Sequence, residues 1–200
     1  MLMDTKPTTL GELIRISGLS HGTNVWTNNA QILVEKGICT LKNAICCRDD
    51  IMNYLIRRGL PPARAFTIME QVRKGKKLKP GDEEEMREHE VPEWYIESCN
   101  KIQYMFPKAH AAAYVTMSLR VAYFKVYYPV AFYQSYYTVR ADTFDYETMA
   151  LGKDRAQAKL RELTQMEKPS ARDKATATIL EVVNEMYARG IEFTPLDIYK

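Results

Sequence analysis

Phe106-Pro-Lys-Ala-His-Ala-Ala-Ala-Tyr-Val-Thr-Met-Ser-Leu-Arg-Val-Ala-Tyr-Phe-Lys-Val-Tyr-Tyr-Pro129 is the longest apolar stretch of the chain. Pro107 suits a helix start and Pro129 cannot continue one, so the roughly twenty residues between them read as one helix of about 30 Å. That length would cross a bilayer, but Arg120 near the middle would cost about 2.5–3.5 kcal/mol there, and Lys108, His110 and Lys125 add to the objection. The expectation is a buried helix of a soluble protein. Val115, Leu119, Ala122 and Val126 form one stripe at helical spacing, and His110, Ala113, Tyr114, Met117 and Val121 form a second, which asks for neighbours on two sides. The Ala111-Ala112-Ala113 run has no bulk, so a backbone or a ligand can approach at the turn carrying Lys108 and His110. That turn is also a helix start, where backbone N–H groups and the helix dipole favour an anion. By chemistry alone, a phosphate site and an ordinary Tyr-rich packing surface with a satisfied histidine both stay open.

Around this element lie 200 residues, 46% hydrophobic and 26% charged, with nine Gly and nine Pro. This is the composition of an ordered protein of one or two small domains. No segment alternates Val, Ile and Thr as a strand would, so the fold class is all-α, a multi-helix domain with a helical C-terminal extension. Net charge is only +3, so any claim on nucleic acid rests on local clusters. Cys39, Cys46, Cys47 and Cys99 show no C-x-x-C spacing and no His at ligand distance, which argues against zinc. The start of the chain has no signal-peptide pattern, no segment reads as membrane-spanning, and a reducing cytoplasm is the expected home.

Taken in order, Thr8 or Thr9 caps a short helix with Leu10, Leu13 and Ile14 on one face, stopping at Ser17-Gly18. The following loop, Gly18-Leu-Ser-His-Gly-Thr23, holds glycines around Ser20 and His21 and can present both side chains outward. An ordinary connector explains it equally well. Trp26–Glu35 is the next helix, ended by Gly37, and Thr40–Cys46 is a short third. Arg48-Asp-Asp50 opens a fourth; Asp49 and Asp50 read as dipole-favoured first-turn residues, because adjacent helical residues point about 100° apart and make a poor metal pair. After Arg57-Arg58 and the Pro61-Pro62 turn, a fifth helix turns Ala65, Phe66, Ile68, Met69 and Val72 inward.

It runs out into Arg73-Lys-Gly-Lys-Lys-Leu-Lys79, five cations in seven residues around Gly75. A solvated charge run at a helix C-terminus is one reading. The other is a clamp for a triphosphate or a DNA backbone, with Gly75 bending the chain so that the cations converge. Asp82–Glu90 reads as a solvated acidic helix that would repel DNA. Pro92 starts a helix from Trp94 to Tyr104 packing through Trp94, Ile96, Ile102 and Met105. Phe132–Tyr137 forms a short aromatic helix. After Arg140 aromatic density falls, dividing a domain of residues 1–140 from an extension of residues 141–200. In that extension Asp154–Met166 and the Ser170-capped Ser170–Arg189 are helical, the latter with Ala175, Ile179, Val182, Val183 and Met186 as its stripe.

The Lys108-x-His110-x-Ala-Ala-Tyr114 helix, with Tyr123-Phe-Lys-Val-Tyr-Tyr-Pro-Val-Ala-Phe-Tyr133 after it, resembles that of the bacterial family C replicative DNA polymerases, and most of all their PolC type. Ile16-Ser-Gly-Leu-Ser-His-Gly-Thr-Asn-Val-Trp26, Cys47-Arg-Asp-Asp-Ile-Met52, Val72-Arg-Lys-Gly-Lys76 and Val91-Pro-Glu-Trp-Tyr-Ile96 resemble the same pattern in the same order. The likeness covers essentially the whole chain. It implies the fingers region, with Ser20, His21, Arg73, Lys74, Lys76, Lys108 and His110 meeting the incoming dNTP. Arg48, Arg58, Lys77 and Tyr114 are candidates for DNA or phosphate. It also implies that no catalytic residue and no metal ligand lies in this piece, that Mg2+ works at a palm elsewhere, and that the downstream DNA-gripping region is likewise missing. Partners implied are template-primer DNA, dNTP, the palm and downstream domains, and the sliding clamp with other replisome proteins. The alternative is a free-standing helical module that binds protein or DNA without an enzymatic role.

Overall fold

Prolines and side-chain caps set many of the helix boundaries. A computed structural model describes residues 1–195, which carry helices α1 (Leu2–Thr5), α2 (Leu10–His21), α3 (Gln31–Glu35), α4 (Arg48–Arg57), α5 (Pro62–Arg73), α6 (Pro80–Glu88), α7 (Glu93–Lys101), α8 (Lys108–Tyr127), α9 (Pro129–Val139), α10 (Tyr146–Met149), α11 (Lys153–Gln165) and α12 (Ala171–Ala188). Among the described residues there is no strand, only one antiparallel bridge between Thr23 and Tyr104. The all-α expectation holds. By its contacts the chain forms two units, Met1–Leu119 and Arg120–Lys200, with the division inside α8.

In the first unit Thr9 caps α2 through a reciprocal box: its hydroxyl accepts from the Glu12 amide while the Glu12 carboxylate accepts from the Thr9 amide. The helix does not stop at Ser17-Gly18. It continues to His21, and Gly18 is buried where a Cβ would lie 2.4 Å from the Cys47 sulfur and 2.6 Å from the Cys46 carbonyl oxygen. The glycine therefore serves close packing inside a helix, not a turn after one. Trp26–Ala30 forms a π-helical turn broken by Asn28 at φ +56°, so the helix expected over Trp26–Glu35 is kinked.

Thr40–Cys46 is not a helix but a run of turns. Arg15 explains it: its Nε donates to the Leu41 carbonyl at 2.8 Å and its terminal nitrogens reach the carbonyls of Lys42 and Ala44. Carbonyls held by a side chain from α2 are not satisfied by a helical ladder, and tertiary contacts override the local tendency. The core of this unit gathers Leu19, Ile51, Leu55, Ile68, Val72, Met86, Ile96 and Met105, each worth about 1.5–3 kcal/mol when fully withdrawn from water. Phe66, expected inside, is instead 53% exposed. The helix at Trp94 ends at Lys101, and Ile102 and Met105 enter the core from extended chain. Asp82, expected on a solvated face, is buried, with Arg64 bound to it at 2.7 Å.

Helix α8 spans the interval between Pro107 and Pro129, but it is not a buried helix: Ala111 is its one buried residue among those described. Tyr114, Met117 and Leu119 in the first unit, and Val121, Phe124 and Val126 in the second, are all exposed. Both expected stripes are present in the sequence and largely uncovered in this chain.

In the second unit Ser170 caps α12 with a reciprocal box to Asp173, as expected. Ile179, Leu180, Val183 and Met186 of α12 pack with Leu163 of α11 and with Tyr133 and Tyr137 of α9, so the stripe finds its partner here; Ala175 stays exposed.

Candidate functional site

The Thr23–Tyr104 pairing is what brings the sequence-distant candidates together. The Thr23 amide donates to the Tyr104 carbonyl at 2.9 Å, and the Gln103 amide donates back to Thr23 at 3.1 Å. This clamps the end of α2 against the strand-like segment that leads into α8. His21 then lies on Phe106 with ring centroids 5.2 Å apart, Phe106 meets His110 edge-on at 4.6 Å, and His110 meets Tyr114 at 4.4 Å. Four rings from two helices and their connector thus form one continuous edge, in which His21, His110 and Tyr114 are exposed and Phe106 is half-buried against the core. Ser20 is exposed beside it, its hydroxyl donating to the Ser17 carbonyl at 3.0 Å.

The first turn of α4 anchors the same segment. The Arg48 amide donates to the Phe106 carbonyl at 3.3 Å, and the Lys108 amide donates to an Asp49 carboxylate oxygen at 2.8 Å. Asp50 accepts from the amides of Cys46 and Cys47 and pairs with Arg15 at 3.2 Å and with the Lys108 ammonium at 3.7 Å. Lys108, Arg15, Asp50, Tyr54, Arg57 and Tyr95 line a cleft of about 600 Å³ on this side. The two aspartates are committed to backbone amides and cations, so their donor set does not fit a metal pair.

A second knot lies at the end of α5. Glu70 receives Arg73 in two-pronged fashion, at 2.7 and 2.8 Å, and is approached by Lys74 at 3.3 Å and Arg48 at 3.8 Å. The hydrogen bond from Arg73 is the chief reason its carboxyl is held down to about 2. Gly75 follows at φ +70°, and a Cβ there would meet the Gln103 carbonyl at 2.4 Å, so only glycine lets the basic run turn against the segment that pairs with Thr23. Arg48 belongs to both knots: its backbone holds Phe106 and its side chain faces Glu70.

The candidates therefore sort by place. His21 and His110 pack on Phe106, Tyr114 follows on His110, Lys108 faces Asp50 and Ser20 precedes His21 at the end of α2; Arg48, Arg73 and Lys74 surround Glu70, with Lys74 and Lys76 lining a shallow depression beside it. Lys77 lines a different one with Glu83 and Glu97. Arg58 sits about 15 Å from Arg48 along α4, its guanidinium over the Tyr54 ring at 5.3 Å. Glu70 was not foreseen, although its place three and four residues before Arg73 and Lys74 is the ordinary signature of a helical ion pair. All four cysteines are free and buried, and burial pushes the Cys46, Cys47 and Cys99 thiols up.

Residues 1–93 match the model of the bacterial DNA polymerase III alpha subunit finger domain. The DNA polymerase III PolC-type of Clostridium perfringens is 55% identical over 201 aligned residues, which cover 100% of this chain and 14% of that relative. The chain belongs to the PolC-type DNA polymerase III family. The PolC-type relatives of Halalkalibacterium halodurans and Streptococcus pyogenes are 56% and 54% identical, again over 100% of this chain and 14% of each relative. The chain thus spans about one seventh of the length of the curated PolC-type proteins it matches. The finger-domain match ends before α8, whereas the PolC-type alignments run through it and on to the end. Among the described residues, no helix is long and apolar enough to cross a membrane.

Proposed function

We propose that these residues are the fingers of a replicative DNA-directed DNA polymerase, binding the triphosphate of the incoming dNTP and the template-primer DNA. The observation that carries this reading is the gathering of Arg48, Arg73 and Lys74 on Glu70, with the Arg48 backbone bonded to Phe106, the residue against which His21 and His110 pack and which lies two positions before Lys108. Arg73, Lys74 and Lys76 neutralise the phosphates. Lys108 and His110 approach from the start of α8, and Ser20 and His21 close the edge. Tyr114 extends the aromatic surface along which a base or a DNA strand can lie. Arg48 serves as a phosphate contact, while Arg58 and Lys77, set apart from the knots, are left to backbone contacts with DNA.

The work of such a site is positioning and charge neutralisation, with no covalent step. The aspartates of this segment are spent on amides and cations, so no Mg2+ chemistry is assigned to it; Mg2+ belongs with carboxylates of a palm outside these residues. Template-primer DNA, dNTP, palm and downstream domains, sliding clamp and other replisome proteins are the proposed partners, in the cytoplasm. In a polymerase of the relatives' full length, Arg73→Ala or Lys74→Ala should raise the KM for dNTP severalfold. Unchanged nucleotide kinetics in both would overturn the assignment. The 200-residue chain alone should show no polymerase activity with magnesium, and activity that copurifies with it would refute the division of labour.

A further inference from the structure

Glu70 is a single carboxylate held by three cations, Arg48, Arg73 and Lys74. Both of its oxygens are occupied: Oε1 by Arg73 Nε at 2.7 Å with Arg48 at 3.8 Å, and Oε2 by the other prong of Arg73 at 2.8 Å with Lys74 at 3.3 Å. Arginine grips a carboxylate and a phosphate with the same planar fork. Arg73 therefore cannot grip a phosphate through this fork while it holds Glu70. The knot is accessible, since Glu70 is about one-fifth exposed and Lys74 about half. A shallow depression of about 320 Å³, lined by Phe66, Thr67, Glu70, Gln71, Lys74 and Lys76, opens beside it. Three cations against one carboxylate leave a net positive charge of two, enough to draw in a polyanion but with the best donor already taken.

We infer that Glu70 is an internal competitor for the nucleotide's phosphates: it holds Arg48, Arg73 and Lys74 in register while the site is empty and is displaced by a triphosphate. This rests on the fingers reading above and adds to it the residue that sets how much negative charge a ligand must bring. A weakly charged anion exchanges one carboxylate for little gain. A triphosphate offers several oxygens to all three cations at once and wins the exchange.

The test uses Glu70→Gln in a polymerase of the relatives' full length, with Arg73→Ala and the double variant beside it. Removing the competing charge should lower the KM for dNTP about two- to fivefold, the scale of partly exposed ion pairs, with kcat little changed. The dependence of KM on salt should steepen, because the cations are no longer neutralised internally. In the Arg73→Ala background the same change should yield a smaller gain, since the main partner is gone. If Arg73→Ala raises KM while Glu70→Gln leaves it unchanged or raises it, Glu70 is only a brace and the inference fails while the fingers reading stands. If neither Arg73→Ala nor Lys74→Ala alters nucleotide kinetics, the fingers assignment falls and this inference with it.

Discussion

The amide of Lys108 donates to the carboxylate of Asp49 at 2.8 Å, so the first turn of α8 is capped by the first turn of α4. A helix start needs an acceptor for its leading N–H groups, and here it comes from 59 residues earlier in the chain. Asp49 is thus the tie between the helix that carries His110 and the helix that carries Arg48.

Asp49→Ala should cost about 1 kcal/mol of stability, in the range of lost helix caps, read as a lower denaturation midpoint. The exchange of the Lys108 amide with solvent should accelerate while amides in the centre of α5 stay protected. Unchanged exchange at Lys108 would mean that the cap is not formed in solution.

Gly18→Ala places a methyl against the Cys47 sulfur and the Cys46 carbonyl at 2.4 and 2.6 Å. Backbone on one side and a buried thiol on the other leave no easy escape, so the penalty should reach about 3 kcal/mol, the upper part of the overpacking range. Gly11→Ala in the same helix meets only the Thr9 hydroxyl at 3.9 Å, an ordinary contact, and should be tolerated. Equal behaviour of the two variants in thermal melts would refute the packing role of Gly18.

The Tyr95 hydroxyl is buried with no hydrogen-bond partner among the described residues, and burial raises its pKa well above the usual value for a phenol. An orphaned buried donor costs stability, so Tyr95→Phe should be neutral or stabilising by up to roughly 1 kcal/mol. Urea titration should show an equal or higher midpoint with an unchanged slope. A clear loss would require a partner for that hydroxyl.

Glu70 gives the acid limb of stability its sign. Its carboxyl titrates near 2 in the folded chain, against an ordinary value of 4.5, chiefly because Arg73 bonds the charged form. A depressed carboxylate stabilises the fold fully above the unfolded value and loses that contribution as pH falls from about 4.5 towards 2. The gap in stability between the parent chain and Glu70→Gln should therefore be present at pH 6 and close by about pH 2. A gap independent of pH would assign the loss to packing instead of charge.

Much of the local organisation was legible because its causes are local. Pro62, Pro107 and Pro129 bound helices through fixed φ and a missing donor; Ser170 and Asp173 make a reciprocal cap three residues apart; Gly75 marks the bend in the basic run. The stretches that misled did so where distant groups intervene. Arg15 takes the carbonyls of residues 41–44 and replaces a short helix by turns, and the close approach of Cys46 and Cys47 makes Gly18 a helix-packing glycine. The exposed apolar faces of α8 show the reverse case, since helical periodicity tells which residues share a face but not whether this chain covers it.

By itself, the sequence determined an all-helical chain, its family and the cationic residues worth watching, because periodicity, caps, motif order and charge are properties of neighbouring residues. Only the tertiary structure decided that Arg48 joins Arg73 and Lys74 on Glu70, and that His21 reaches His110 through Phe106. The first encounter follows from the packing of α4 against α5, and the second from Thr23 pairing with Tyr104 and Asp49 capping Lys108, bonds that close loops of many residues and leave no trace in local spacing.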